Sequence, residues 1–321
     1  MEKSTNVNSA AYWLEKNNVI AIPTETVYGL AANIFDEEAI QSIYKIKGRP
    51  SNNPLIVHIK SIKELYKYAS DIPVKAKLLA NAFWPGPLTL VLNKTAIVPN
   101  YITSNKETVA IRVPNHLLTL KLLEQLDFPI AAPSANPSNR ISATTAEHVE
   151  NYFQNKIPFV LDGGSCKDGL ESTIVGFEMG EPIVYRVGAL AIERIEKVVG
   201  KVSIKNKETS AVIVPGMFSK HYSPLTPFYV VNSPEELIKD SQHQNIVFIG
   251  FNKRIENDKI KNQFLLSEKG NITEAASNLY KTLLLADELQ PEIIVSSFFR
   301  EKDLGITIND RLKRASINNQ N

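Results

Sequence analysis

The sequence has little cysteine: Cys166 is the single one among 321 residues. One cysteine excludes an internal disulfide framework and a zinc site built from several thiolates. It is typical of a reducing compartment, so we expect a cytoplasmic protein. Histidines are also few, and none of them has the spacing of metal ligands. They are His58, His116, His148, His221 and His243.

Long apolar runs and a strong charge of one sign are missing as well. No run approaches the roughly 18 apolar residues of a membrane span, and the N-terminus has no apolar segment of signal-peptide length. We therefore expect no membrane association and no export. A formal net charge of +2 gives no support to a strongly basic nucleic-acid binder. A hydrophobic content of 43% is ordinary for a globular protein, and the length suits two domains.

Three enzyme motifs are absent from the sequence. It contains no Gly-x-x-x-x-Gly-Lys-Ser/Thr phosphate loop, no Gly-rich first turn of a dinucleotide fold and no Gly-x-Ser-x-Gly nucleophile elbow. Any ATP site must therefore be built in another way. Cys166 lies in a glycine-rich loop without a Cys-His signature, so we do not expect it to be a catalytic nucleophile.

Short apolar runs alternate with amphipathic segments over the first two hundred residues, which predicts an α/β domain with a large mixed sheet. The predicted strands are 19–23, 55–59, 88–92, 109–113, 129–132, 159–161, 172–175 and 183–185. The predicted helices are 37–47, 62–69, 74–84, 116–126, one that begins at a Thr144 cap, and 192–199.

A second, smaller α/β domain is predicted after a charged segment and a proline-bracketed extended connection. Its predicted strands are 228–231, 246–249 and 293–295, and its predicted helices are 274–289 and 311–315. The domain prediction is therefore 1–204 for a catalytic domain, 205–226 for a linker or lid, and 227–321 for the C-terminal domain.

Cations and polar groups are concentrated in residues 47–58, around a turn stiffened by two prolines. Lys47 supplies a point charge and Arg49 a planar fork that matches phosphate or carboxylate. Asn53 and His58 follow within the same stretch. This grouping indicates a polyanion site, although a helix C-terminus with its usual basic residues explains it equally well.

Polar side chains recur at the ends of several predicted strands, where ligands commonly bind. Several have a structural alternative: a turn cap for the threonines, a salt bridge for Arg112 within a strand, a surface position for Arg186, and a backbone contact for Ser172. The residues are Thr24, Thr26, Arg112, Ser134, Asn136, Ser142, Ser172 and Arg186. Asp162 and Glu171 could approach a magnesium ion, but two separate carboxylates are weak evidence.

Taken together, these motifs resemble the threonylcarbamoyl-AMP synthase family, also known as Sua5/YrdC. The family pattern Lys-x-Arg followed by Ser-x-Asn corresponds to Lys47, Arg49, Ser134 and Asn136. The stretches PTETVYGL at 23–30 and WPGPLT at 84–89 also resemble the family. The stretches PGM at 215–217, HYSP at 221–224 and NDRLKRA at 309–315 resemble the linker and second domain of its longer, Sua5-type members.

The resemblance implies a YrdC-like twisted mixed-sheet domain and a small Rossmann-like C-terminal domain. It also implies an enzyme that condenses L-threonine, bicarbonate or CO2, and ATP into threonylcarbamoyl-AMP and pyrophosphate. Lys47 and Arg49 would be catalytic, and Asn136 would support them. Contacts to L-threonine would come from Thr26, His58, Arg112, Ala132 and Ser172. Contacts to ATP would come from Arg49, Asn53, Thr108, Ser134, Ser142, Arg186 and Tyr222.

The same resemblance implies Mg²⁺ bound with ATP, and partners of the TsaD-type tRNA-threonylcarbamoyl transferase machinery that modify adenosine 37 of tRNA. Weak tRNA binding is compatible with it. Two other functions stay open at this point. One is a non-catalytic RNA-binding translation factor, against which the near-neutral charge argues. The other is a carbamoyl-transfer enzyme, whose acylphosphatase-like and zinc-finger segments are absent from this sequence.

Overall fold

The computed structural model describes residues 1–205 and 222–317, and the chain divides into two compact units. Among these residues, unit 1 comprises 1–138, 142–167 and 171–205, and unit 2 comprises 139–141, 168–170 and 222–317. Most of the predicted linker, including Pro215, Gly216, Met217 and His221, lies outside the described residues. The predicted domain boundaries stay predictions.

The described residues form sixteen strands. They are β1 (Glu2–Ser4), β2 (Ile20–Ile22), β3 (Gly29–Asn33), β4 (Ile56–His58), β5 (Ala69–Ser70), β6 (Leu88–Lys94), β7 (Thr108–Arg112), β8 (Ile130–Ala131), β9 (Phe159–Leu161), β10 (Thr173–Glu178), β11 (Glu181–Arg186), β12 (Ser203–Ile204), β13 (Phe228–Val231), β14 (Ile246–Gly250), β15 (Ile260–Leu265) and β16 (Ile293–Ser297).

Eleven α-helices accompany the strands of the described residues. They are α1 (Val7–Glu15), α2 (Glu37–Lys47), α3 (Leu65–Tyr68), α4 (Val74–Phe83), α5 (Asn100–Thr103), α6 (Leu117–Gln125), α7 (Ala146–Phe153), α8 (Ile192–Val199), α9 (Pro234–Asp240), α10 (Ile272–Glu288) and α11 (Leu304–Ala315). Two short 3-10 helices precede α3 and follow α7.

Unit 1 is built on one twelve-stranded sheet with the order β1-β9-β2-β3-β8-β4-β7-β6-β10-β11-β12, and β5 pairs with β6 off this path. Parallel and antiparallel pairs alternate irregularly: β4 and β7 are parallel, whereas β8 is antiparallel to β4. Helices α1 and α6 pack together over one part of the sheet, with Leu14 and Leu122 fully buried in the shared core. The predicted mixed-sheet α/β fold is therefore confirmed.

Helix α2 positions the cationic stretch because its two ends are fixed by sequence. The Asp36 side chain caps its N-terminus by accepting from the Ala39 amide, at 2.6 Å. Gly48 ends it in the left-handed region (φ 61°), which glycine adopts without steric cost. The predicted bounds 37–47 are confirmed. For α7 the predicted cap is wrong: Thr145, not Thr144, accepts from the His148 amide.

Unit 2 contains a four-stranded sheet with the order β13-β16-β14-β15, in which every neighbouring pair is parallel. Helix α9 buries Ile238 against Ile246 and Ile293 of the sheet. Helix α10 follows β15, packs on β14 and also contacts α11. Because parallel crossovers are right-handed, α9 and α10 lie on opposite faces. The predicted Rossmann-like α/β arrangement of the C-terminal part is confirmed.

Candidate active site

The register of unit 1 brings four of the predicted residues to one face of the sheet. His58 of β4 lies opposite Arg112 of β7, and alternation along β7 puts Thr108 on the same face as Arg112. The amide of Ala132, one residue beyond β8, donates to the carbonyl of Ile56 at 3.1 Å, which places Ala132 beside β4 on that face. Residues from three separate motifs are therefore neighbours across strands.

Arg112 is a buried cation that contacts a hydroxyl group and a carboxylate. Its Nη1 donates to Thr26 Oγ1 at 3.0 Å, and its Nη2 lies 2.6 Å from a carboxylate oxygen of Glu25. Both members of the ion pair are about 5% exposed. One end of the Arg112 guanidinium thus forms the salt bridge that was the structural alternative. The other end orients Thr26, which is predicted to contact L-threonine.

The loop that carries Thr26 is fixed by the neighbouring hydroxyl. Thr24 Oγ1 accepts from the amides of Thr26 and Val27, each at 3.2 Å, and lies 2.7 Å from Thr26 Oγ1. The turn-cap alternative is therefore correct for Thr24. The cap holds the Thr26 hydroxyl against Arg112.

His58 is buried and electrically neutral. Burial, followed by the nearby positive charge of Arg112, lowers the pKa of His58 to about 3. Its Nδ1 lies 3.1 Å from the Ile56 carbonyl, which only accepts, so we assign the proton to Nδ1. Nε2 is then a hydrogen-bond acceptor, suited to a hydroxyl or an amino group of a ligand.

Lys47 fastens the two halves of the Lys-x-Arg and Ser-x-Asn pattern together. Its Nζ donates to the carbonyls of Ser134 and Asn136, each at 2.5 Å. Burial, and secondarily the charge of Arg49, hold its pKa well below the usual lysine value. Asn136 donates from Nδ2 to the carbonyl of Pro137 at 2.9 Å, so its side chain contacts the backbone of this turn.

Arg49 and Asn53 form a local pair after the end of α2. Arg49 Nη2 donates to Asn53 Oδ1 at 2.6 Å and to the Pro54 carbonyl at 3.0 Å. The Asn53 carbonyl accepts from the hydroxyl of Tyr44 at 3.1 Å. Asn53 is buried whereas Arg49 is half-buried, so the guanidinium is oriented but still reaches solvent.

Arg186 and Ser172 form a third cluster, which also includes Thr89. Arg186 Nη2 donates to the Ser172 carbonyl at 2.8 Å and to its Oγ at 3.1 Å, and Ser172 Oγ lies 2.7 Å from Thr89 Oγ1. The backbone at Gly188 lies against the backbone that carries Ser172. Only glycine fits there, because a Cβ would lie 2.4 Å from the Glu171 carbonyl oxygen. Arg186 is buried and is not a surface residue.

The two carboxylates considered for magnesium have protein partners instead. Glu171 Oε1 accepts from Ser142 Oγ at 2.7 Å, and Asp162 Oδ1 accepts from the amide of Gly164 at 2.9 Å. In residues 1–205 and 222–317 no three His, Cys, Asp or Glu side chains gather where they could hold a metal ion.

Thr108 lines a cavity of about 360 Å³ in unit 1. Val91, Asn93, Gly176 and Tyr185 are among its other lining residues. The lining combines the ring of Tyr185, which lies over the backbone of Gly176, with aliphatic side chains and two carboxylates, Asp71 and Glu178. That lining suits a flat ring system with a few polar atoms.

Two family models match the chain over most of its length. Residues 13–188 match the Sua5–YciO–YrdC family, described as telomere recombination. Residues 190–316 match the model described as threonylcarbamoyl-AMP synthase, C-terminal domain. The chain belongs to the Sua5/YrdC family. It carries both parts of the longer, Sua5-type members.

Similar proteins of this family extend over nearly the whole chain. A threonylcarbamoyl-AMP synthase of Pyrococcus abyssi is 39% identical over 97% of this chain and 94% of its own length. One of Bacillus subtilis is 38% identical over 98% and 95%. The crystal structure of P. abyssi Sua5 complexed with L-threonine has a TM-score of 0.90 at 40% identity, covering 97% of this chain and 94% of that one.

Sequence reasoning missed two residues that contact the candidate site residues, Glu25 and Thr89. Glu25 lies between Thr24 and Thr26, two residues after the predicted strand 19–23. An acidic residue so close to a buried strand was the signal that could have indicated it. Tyr222 lies in unit 2, where its ring stacks on Tyr280 at 5.4 Å and Arg311 lies 5.0 Å from its ring centre. The assignment of site residues to threonine and ATP stays a prediction.

Among the helices of the described residues, none has the length and apolar character of a membrane span.

Proposed function

We propose that this chain is an L-threonylcarbamoyladenylate synthase, a nucleotidyltransferase. The amine of L-threonine adds to CO2 or bicarbonate to give a carbamate, with loss of water when bicarbonate is used. A carbamate oxygen then attacks the α-phosphorus of ATP, and pyrophosphate leaves. The overall products are threonylcarbamoyl-AMP and pyrophosphate.

The observation that supports this proposal most is the near-full-length match to the P. abyssi Sua5 structure complexed with L-threonine. The likeness covers 97% of this chain and 94% of that one. The similar proteins of P. abyssi and B. subtilis are called synthases. Their names favour a catalyst over the RNA-binding alternative.

The threonine half of the proposed site is an uncharged imidazole beside a fixed guanidinium. Arg112 would bind the α-carboxylate through guanidinium N–H groups that Thr26 and Glu25 leave unoccupied, such as Nε–H. His58 Nε2 would accept from the substrate, and the hydroxyls of Thr26 and Ser172 can donate or accept. Ala132 leaves space for a side chain as small as that of threonine. Buried polar partners reject analogues that lack the hydroxyl.

The ATP half of the proposed site supplies positive charge without a nucleophile. Arg49 and Arg186 would face phosphate oxygens, held in place by Asn53 and Ser172 respectively. Ser134 and Ser142 would add hydrogen bonds, and the cavity next to Thr108 would take the base. The chemistry then depends on positioning and on stabilising negative charge that develops on the phosphates. We propose the same ATP role for Tyr222.

Lys47 would respond to the arrival of the anion. Its pKa is held low in the free protein by burial and by Arg49, and a neighbouring phosphate or carbamate would raise it again. Lys47 would thus contribute positive charge where the carbamate meets the α-phosphorus. The two carbonyl acceptors of its N–H groups fix its position.

We propose that Mg²⁺ enters with ATP. The described residues supply no cluster of three ligating side chains, and the nearby carboxylates are already hydrogen-bonded. The cationic residues of the site fit a nucleotide whose own phosphate oxygens hold the ion. When bound, the ion would neutralise charge on the leaving pyrophosphate.

We further propose that the product passes to the TsaD-type transferase machinery that modifies adenosine 37 of tRNA. A mixed anhydride of a carbamate and a phosphate is labile in water, so direct consumption by a partner enzyme is expected. The proposed location is the cytoplasm, where tRNA is modified and where the single cysteine would stay reduced.

The direct test is to incubate the protein with Mg-ATP, labelled bicarbonate and L-threonine, and to measure pyrophosphate and the labelled adenylate. We expect both products only when threonine is present. Chelation of Mg²⁺ should abolish them, and L-2-aminobutyrate, which lacks the hydroxyl, should react far more slowly. Pyrophosphate release that does not depend on threonine would contradict the proposal.

A further inference from the structure

Unit 2 contains a cavity that the proposed reaction does not use. It has a volume of about 570 Å³, inside the range of small-molecule sites. Two of its walls are the segments that directly follow strands β14 and β16, and a third is the start of α10. The cavity therefore lies at the carboxyl edge of the parallel sheet.

The strand order makes this edge the point where a ligand is expected. The chain leaves β14 toward β15 on one side, and it leaves β16 through α11, which packs on β13 on the other side. Connections that diverge from two adjacent parallel strands open a crevice between them. In open α/β sheets such a crevice is the usual binding site.

The lining of the cavity carries an excess of positive charge. Lys253, Arg300 and Lys302 line it, against a single carboxylate, Asp303. Within residues 222–317 none of these three cations forms an ion pair or a side-chain hydrogen bond. The carboxylate of Glu301 pairs with the amine of Lys313 at 3.7 Å, and neither residue lines the cavity.

Aromatic rings form the apolar part of the same lining. Phe251 follows β14 and Phe299 follows β16, and their ring centres are 5.0 Å apart at an interplanar angle of 54°. Both rings are half-buried, so each keeps surface for another contact. Aromatic faces with adjacent cations suit a ligand that has a flat ring and an anionic group.

The wall formed by the β16 segment is held rigidly. Asn309 of α11 is buried and binds the backbone of Phe299 twice, through Oδ1 at 2.8 Å and Nδ2 at 2.9 Å. Gly305 fits under Arg300 only without a side chain, because a Cβ would lie 2.1 Å from the Arg300 carbonyl oxygen. The backbone that carries the Arg300 side chain is therefore fixed.

From these observations we propose that the crevice of unit 2 binds a nucleoside phosphate. The base would lie against Phe251 and Phe299, and Lys253, Arg300 and Lys302 would bind the phosphates. The N-terminus of α10 is not the receptor, since Asn271 Oδ1 already accepts from its first free amides, those of Thr273 and Glu274. The ligand can be a free nucleotide or the phosphorylated end of an RNA, because both present the same chemistry.

The experiment is photolabelling of the full chain with 8-azido-ADP, followed by peptide mapping. We expect label on peptides that contain 251–254 and 298–302, and unlabelled ADP should displace it. Lys302→Glu and Lys253→Glu should each weaken labelling of these peptides about tenfold, the worth of one charge-assisted contact. Lys281→Glu is the matched control, since it reverses an exposed charge on α10 outside the lining.

The outcomes separate the two sources and can refute the site. Displacement by ADP alone identifies a free nucleotide, whereas displacement by a 5′-phosphorylated oligoribonucleotide identifies an RNA end. The proposal is overturned if neither peptide is labelled at millimolar probe, or if Lys302→Glu labels as well as Lys281→Glu. It is also overturned if adenosine displaces the probe as well as ADP, because the cations would then have no role.

Discussion

The cationic residues described in unit 1 and those that line the unit 2 cavity differ in burial and in what holds them. Lys47, Arg112 and Arg186 in unit 1 are at most 5% exposed, and each donates to acceptors of the protein. Lys253 and Lys302 in unit 2 are exposed and have no such partner among the described residues. Since buried donors must be hydrogen-bonded, the cations of unit 1 have fixed geometry. The exposed cluster of unit 2 keeps its charge at little cost in stability.

The largest effect that tests this comparison is expected at the buried ion pair. Arg112→Ala leaves Glu25 buried without a counter-charge, so we expect the free energy of unfolding of unit 1 to fall by about 3–5 kcal/mol. Urea unfolding followed by tryptophan fluorescence measures this, because Trp13 and Trp84 both lie in unit 1. The double variant Glu25→Gln, Arg112→Met should recover most of the loss. A loss as small as that of a surface pair, below about 1 kcal/mol, would refute the distinction.

Arg49→Ala should affect activity and leave stability nearly unchanged, because Arg49 is only half-buried. Removal of one preorganised donor to a developing charge costs about 10²–10³ in rate. The measurement is threonine-dependent pyrophosphate release, with unfolding of the same variant as the check on folding. Arg194→Ala, at an exposed arginine of α8, is the control and should keep full activity. Normal turnover of the Arg49 variant would show that the phosphate contact lies elsewhere.

His58 should make unit 1 sensitive to acid. Its pKa is about 3 in the folded state, below the ordinary value of 6.5, so the unfolded chain binds more protons between these values. The stability contributed by neutral His58 is therefore present above pH 6.5 and falls as the pH drops toward 3, by up to about 1.4 kcal/mol per pH unit. Urea midpoints across this range should show a shallower pH dependence for His58→Gln. His243→Gln, at a partly exposed histidine of unit 2, is the control and should leave the pH dependence of unit 1 unchanged.

The smallest effect is expected at the exposed cluster. Lys302→Ser removes no contact within the described residues, so its effect on the unfolding of unit 2 should stay within about 0.5 kcal/mol. Calorimetry of the full chain measures it, because the tryptophans do not report on unit 2. A loss of several kcal/mol would mean that Lys302 has a structural role, and the contrast with Arg112 would then disappear.

Elements with strong local signals could be predicted from the sequence, and those without them could not. Helix α2 has an Asp cap, an apolar face and a glycine end, and its predicted bounds are correct. Strand β3 was missed because Gly29–Asn33 follows a threonine-rich turn and consists mostly of small residues. Strand β15 was missed because its polar residues, such as Lys261 and Asn262, are exposed. Its pairing with β14, not its own pattern, makes it a strand.

The sequence by itself determined the composition of the candidate site: which cations, amides and hydroxyls it has. It also determined the family. Only the tertiary structure decided that Lys47 holds the carbonyls of Ser134 and Asn136, some ninety positions away, and that Arg112 pairs with Glu25. These contacts depend on strand order and register, which arise from packing over the whole sheet and leave no local pattern in the chain.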